Sequence, residues 1–196
     1  MIDLITKSKI RRKIIVLFLY NQKREFYLSE IAKIVGTSPG TAQRELNRLL
    51  ANDFISFKKK ANLSIYSLNK RYTLLKEVEA IVNKTFGIEV QLKNGLGTID
   101  NIEYAFIFGS YVKGTFKSES DIDLFIIGDV EEDQILKTIE QIERGIDREI
   151  NYHLADKDDF LSKAKDNYFY REILQNNLLL IGNKDEFKKL IKKTHS

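Results

Sequence analysis

The chain of 196 residues has no cysteine, no tryptophan, one proline and one methionine. Without cysteine there is no disulfide, no cysteine-ligated zinc and no iron–sulfur cluster, which suits a reducing cytoplasm. Long apolar runs are missing as well. Residues 14–20 form an apolar run behind the basic Arg11, Arg12 and Lys13. That run falls far short of the roughly 18 residues a membrane span needs, and no small-residue cleavage site follows it. It reads as a buried helix, and no membrane partner is expected. No repeat, low-complexity tract or proline-rich or serine-rich linker is visible.

What is there suits a soluble globular chain, 43% hydrophobic and 31% charged, able to bury one core or two small ones. Charge is divided unevenly along it. Residues 1–72 hold 15 Lys and Arg against 5 Asp and Glu, and the rest hold 17 against 23. Such a division suggests two modules, the basic one facing a polyanion, although a solvated lysine-rich surface gives the same count.

In the basic module, Ser8 can cap a helix that reaches about residue 20, with Ile10, Ile14, Leu17 and Phe18 at helical spacing. A second helix spans about 29–35. After the turn Gly36-Thr37-Ser38, the only proline, Pro39, suits the first position of a third helix capped by Ser38. Ala42, Leu46, Leu49 and Leu50 share one face of that helix; Gln43, Arg44 and Asn47 share the opposite one. Two alternating runs, 54–57 and 64–68, flank a polar tip at 58–62 and predict a β-hairpin. Three helices followed by such a hairpin are the order of a winged helix-turn-helix. Gln43, Arg44 and Asn47 would then face base edges in the major groove of duplex DNA, and Lys58, Lys59 and Lys60 would face phosphates. The same fold can also serve only for packing or dimerisation; where it binds DNA, a homodimer on two half-sites is expected.

A connecting helix over about 72–86, with Leu74, Leu75, Val78, Ile81 and Val82 as its stripe, and an amphipathic piece over 88–96 lead to the second module. The expected organisation is 1–72, 73–98 and 99–196.

The informative stretch is 104–127, YAFIFGSYVKGTFKSESDIDLFII. An apolar strand at 104–108 ends in Gly109-Ser110, and 111–113 could open a short helix. A second strand covers 120–127. A glycine at a strand end lets backbone amides approach a phosphate, a helix start behind it favours negative charge, and Ser110 adds a donor. Asp121 and Asp123 lie two apart on a strand and share a face, where hard divalent cations with oxygen ligands would relieve their repulsion. Two such cations can stabilise the attacking and leaving oxygens of a phosphoryl displacement. Lys113 and Lys117 are candidates to neutralise a triphosphate, with surface solvation as the plainer alternative.

The run GSYVKGTFKSESDIDL resembles the signature of minimal nucleotidyltransferases of the DNA polymerase β superfamily, on Gly109, Ser110, Gly114, Ser120, Asp121 and Asp123. The whole chain resembles a group in which such a module follows a winged helix-turn-helix. The implied fold is α+β, an N-terminal winged helix-turn-helix plus a C-terminal polymerase β-type domain with a mixed sheet flanked by helices. The resemblance implies that Gly109 and Ser110, with Lys113 and Ser120 nearby, hold the phosphates of an NTP such as ATP, and that Asp121 and Asp123 hold Mg2+. The implied activity is transfer of a nucleoside monophosphate to an acceptor hydroxyl, a protein acceptor included.

One position departs. The superfamily has a third carboxylate on a neighbouring strand, here 148–154, and the favoured register puts Asn151 in that place. Asparagine offers a carbonyl oxygen but cannot take up a proton. Glu149 shares its face, yet a two-residue shift moves a carboxyl by ~6–7 Å. The alternative reading is therefore a transcriptional regulator whose domain binds nucleotide as a signal without turnover. His153, on the same face, is a minor candidate, more often structural in such a setting. His195 lies in a terminal tail. Helices are expected over 157–164 and 168–174, with Tyr168 and Tyr170 in core packing, then a buried strand at 178–181 and a last helix from about 184.

Overall fold

The computed structural model describes residues 6–60, 63–115 and 120–193. It divides into two compact units, Met1–Val90 with Ile142–Asp147, and Gln91–Gln141 with Arg148–Ser196.

In the first unit, helix α1 (Lys9–Tyr20) starts at Ser8, whose hydroxyl accepts the Arg11 N–H at 3.2 Å. Residues 14–20 are all buried. Among the described residues no helix is long and apolar enough to cross a membrane. A short strand, β1 (Phe26–Tyr27), leads into α2 (Leu28–Val35). Gly36, at φ 68°, then lets the Thr37 N–H return to the Ala32 carbonyl at 2.9 Å, which ends the helix. Helix α3 (Pro39–Ala51) begins as expected, with Ser38 accepting the Thr41 N–H and proline in the first turn.

Strands β2 (Ile55–Lys60) and β3 (Leu63–Leu68) pair antiparallel, and β1 joins β3, giving a three-stranded sheet in the order β1-β3-β2. Strand β2 extends through Lys60, so the lysines lie on a strand and not at a loop tip, because each still pairs across to β3. Ala61 and Asn62 lie outside the described residues. Helices α4 (Leu75–Thr85) and α5 (Ile88–Leu96) follow. Of the apolar stripe predicted for α4 only Val82 is buried, and Leu74 and Ile81 are exposed. Helical spacing reports a common face; it does not report what covers that face.

The second unit is built on a mixed sheet of β4 (Ile102–Phe108), β5 (Ile122–Gly128), β6 (Ile150–Ala155) and β7 (Leu178–Ile181), in the order β6-β5-β4-β7. Only β5 and β6 run parallel. A parallel pair needs a crossover, and α6 (Glu132–Ile146) supplies it. The sequence reading assigns no element there, although Ile135, Ile139, Ile142 and Ile146 recur at helical spacing and are all buried. Helices α7 (Lys157–Asp166), α8 (Tyr168–Gln175) and α9 (Lys184–Lys193) complete the unit. Phe106, Phe125, Phe160, Leu174 and Phe187 form the centre of its core, with the Phe106 and Phe125 rings stacked at 5.5 Å.

Two expectations fail here. Strand β7 is half-buried, with only Leu180 fully covered, because it is an edge strand paired to β4 alone. Tyr168 is 73% exposed, whereas Tyr170 packs on the core. The buried face of α8 carries Tyr170, Ile173 and Leu174, three and four residues apart, and a residue two positions earlier points the other way.

Candidate functional site

Strand β4 ends at Phe108, directly opposite Asp123 of β5. The next residue, Gly109, has φ +71°, and a Cβ there would lie 2.2 Å from the Asp123 Oδ2. Glycine is thus demanded twice, by the left-handed backbone and by the carboxylate lying against it. From there the chain turns, with the Lys113 N–H donating to the Gly109 carbonyl at 3.2 Å and the Thr115 N–H to the Ser110 carbonyl at 3.1 Å. The short helix expected at 111–113 does not form. Gly114, at φ +69°, closes the turn before a second one can follow. A helix dipole is therefore no part of this site; the exposed backbone of a tight turn beside a carboxylate is.

Asp121 immediately precedes β5 and Asp123 is its second residue, so the two carboxylates share a face. Burial pushes the Asp123 carboxyl up from its usual range, and the charge of Asp121 pushes it further, against an opposing influence from His153. Asn151 lies opposite Asp123 on β6. Its Nδ2 donates to the Asp121 Oδ2 at 3.2 Å. Glu149 is exposed just ahead of β6, and its carbonyl accepts the Ile122 N–H at 3.1 Å, which sets it beside Asp121.

Ser120 presents its carbonyl to the Arg148 Nη1 at 2.8 Å. Lys113 reaches across to α8 and donates to the Glu172 Oε1 at 2.5 Å. That partner raises the lysine's pKa. Lys117 lies outside the described residues. His153 is exposed, with its ring stacked 5.7 Å from Phe125. The sequence reading singles out neither Arg148 nor Glu172. Arg148 lies just ahead of the strand that carries Asn151, whereas nothing local marks Glu172 as the partner of a lysine 59 residues earlier.

Among the described residues no group of three or more His, Cys, Asp or Glu side chains is placed to hold a metal ion. The donor set is two carboxylates whose mutual repulsion already disfavours the charged form of Asp123. Hard oxygen ligands with uncompensated negative charge fit a divalent cation such as Mg2+.

In the first unit, Arg44 and Asn47 are exposed on α3, and Gln43 is half-buried. The Gln43 Nε2 donates to the Asn47 Oδ1 at 2.8 Å and to the Tyr66 hydroxyl of β3 at 2.9 Å, which ties this face to the hairpin. Lys58 pairs with Glu25 at 3.1 Å; Lys59 and Lys60 are exposed beside it.

Residues 90–186 match the family described as Polymerase beta, Nucleotidyltransferase. This stretch of the chain is similar to nucleotidyltransferase domains of that family. A Methanocaldococcus jannaschii protein with the provisional name protein adenylyltransferase is 29% identical over 79 residues, which span 40% of this chain and 78% of that protein. Two solved structures are loosely similar. A toxin–antitoxin pair with AMP-PNP aligns at a TM-score of 0.42 and 17% identity, covering 55% of this chain and 84% of that one. A tri-AMPylated Shewanella oneidensis HEPN toxin in complex with MNT antitoxin aligns at 0.36 and 14%, covering 55% and 84%. In this chain the family match contains the Gly109-Ser110 turn, both aspartates and all four strands of the mixed sheet.

Proposed function

We propose that the nucleotidyltransferase domain moves a nucleoside monophosphate from an NTP, with ATP favoured, to the hydroxyl of a protein acceptor. The observation that carries this is Gly109, held without a side chain against the Asp123 carboxylate, so that the Gly109-Ser110 turn and the Asp121/Asp123 pair adjoin. The name of the Methanocaldococcus jannaschii relative supports adenylate as the group and protein as the acceptor.

In the reaction an acceptor hydroxyl oxygen bonds to the α-phosphorus, the bond from that phosphorus to the β-bridging oxygen breaks, and pyrophosphate leaves. Asp121 and Asp123 would hold Mg2+, which when bound offsets charge on the phosphate oxygens. Backbone N–H groups and the hydroxyl at Gly109-Ser110 orient the phosphates, with Ser120 at the entry to β5. The hydroxyl proton needs an acceptor that Asn151 cannot be. Glu149, alongside Asp121, is the carboxylate nearest in register on that face.

The first unit, three helices and a hairpin joined by β1, supports a winged helix-turn-helix that binds duplex DNA. Arg44, Asn47 and Gln43 would contact bases, and Lys58, Lys59 and Lys60 would contact phosphates. Gel-shift titrations at rising salt check this: affinity should fall steeply as phosphate-bound counterions are retained.

One observation favours a second reading. Asn151, opposite Asp123 and bonded to Asp121, brings an amide and not a carboxylate to the pair, which supports a domain that binds nucleotide as a signal without turnover. Incubation with α-labelled NTPs, magnesium and host extract, beside an Asp121→Asn control, separates the two. Label in a product that the control abolishes establishes the transferase. Nucleotide binding without any labelled product rejects transfer in favour of the sensor.

A further inference from the structure

His153 lies two residues beyond Asn151 on β6, in register with Phe125, and so shares the face of Asp123. Its ring rests on Phe125 at 5.7 Å and an interplanar angle of 19°, with the Phe108 and Phe169 rings tilted toward it at 6.0 and 5.9 Å. Phe125 lies against the imidazole, yet the residue as a whole is exposed. Beside it, at the start of α8, Phe169 is 39% exposed. The Lys113–Glu172 pair brings the same helix to the Gly109-Ser110 turn.

An aromatic shelf therefore flanks the carboxylate pair, with His153 seated on Phe125 and Phe169 edge-on to both His153 and Phe108. Two residues along a strand is ~6–7 Å, the scale of the ribose that separates a nucleotide's phosphate from its base.

We propose that His153, with Phe169 beside it, is the platform on which the base of the bound nucleotide stacks. This rests on the nucleotide reading above and adds where the base goes. Stacking engages the π-face that every base has, so the shelf supplies affinity without choosing among bases. Asp121, Asp123 and the Gly-Ser turn address the phosphates alone.

Calorimetric titration of the full chain with α,β-methylene ATP and, separately, with inorganic tripolyphosphate, magnesium present in both, tests the assignment. His153→Ala should weaken the ATP analogue by roughly 5- to 100-fold and leave tripolyphosphate unchanged. His153→Phe, which restores a ring, should recover most of the loss. Phe169→Ala, which removes the ring beside the imidazole, should give a smaller loss of the same selectivity. Equal weakening of both ligands by His153→Ala would overturn the stacking role, since the residue would then be supporting Asp123. Unchanged affinity for the analogue, with slowed transfer, would overturn it and give the shelf to the acceptor. If the wild-type chain binds neither ligand, the nucleotide reading itself fails.

Discussion

Two carboxylates, one in each unit, show what separates a structural charge from a functional one. Glu45 of α3 is only 8% exposed, and the Arg11 Nε donates to its Oε2 at 2.7 Å while the Arg48 Nη1 meets its Oε1 at 3.2 Å. Burial pushes its carboxyl up, but hydrogen bonds from Arg11 and Ser8 and the charges of Arg11 and Arg48 more than offset this, leaving it below its ordinary value. Asp123 is half-buried, and burial together with the charge of Asp121 outweighs the opposing influence of His153, so its carboxyl is held above its ordinary value. The first unit satisfies its buried acid with its own cations. The second sets two like charges together beside a glycine that admits no side chain, and such an arrangement persists where an outside cation or substrate completes it.

The largest effect should come from collapsing that arrangement. Asp123→Asn is expected to lower transfer by at least about a hundredfold, on the scale of removing a key electrostatic group from an active site. It should not lower thermal stability, because it removes a repulsion. Gly109→Ala should be as damaging to transfer and also destabilising, since the new Cβ meets the Asp123 carboxylate at 2.2 Å in a left-handed backbone. Labelled-product assays and thermal melts of the two variants check this. An Asp123→Asn protein that melts well below wild type would erase the contrast with Glu45.

Glu45→Gln is the converse. It should cost about 1–3 kcal/mol, the scale of losing a hydrogen bond between charged groups, and leave transfer intact. pH sharpens the pair because the signs oppose. The folded value of Glu45 is depressed, so its stabilisation is present above the ordinary carboxylate range and is lost as pH falls through the lower folded value. The folded value of Asp123 is raised, so its stabilisation is fully present below the ordinary value and is lost as pH rises through the raised one. Melts across acidic pH should show Glu45→Gln removing the first trend and Asp123→Asn the second.

Much of this contrast is legible in the chain itself, wherever the signal is local. Ser8, Ser38 and Pro39 mark helix starts because capping is settled within three or four residues. Gly109 and the Asp121/Asp123 spacing mark the site because strand alternation determines which carboxylates share a face. The register that pairs Asn151 with Asp123 follows from the apolar pattern of β6. What is not legible depends on contacts distant in sequence. Glu45 looks like one more polar residue on α3 until Arg11, 34 residues away, is seen against it. The exposure of Tyr168 depends on which face of α8 meets the core. The segment between β5 and β6 carries a plain isoleucine period; its role as a crossover becomes evident only once those strands are known to run parallel.

Lys113 offers the finest division between support and function, and the smallest expected effect on stability. Its ammonium lies 2.5 Å from the Glu172 Oε1, with side chains 45% and 35% exposed. An ion pair that open to solvent adds little to stability, so Lys113→Met should barely move the melting temperature. The lysine nevertheless sits in the Gly109–Gly114 turn, where a triphosphate would compete with Glu172 for it. If it exchanges partners, Lys113→Met raises the KM for NTP several-fold with little change in kcat, and Glu172→Gln, which frees the ammonium, lowers it. Parallel titrations of the two variants decide the matter. Opposite shifts in KM make Lys113 a phosphate ligand held in reserve by Glu172, whereas unchanged KM in both makes the pair a strut between the turn and α8.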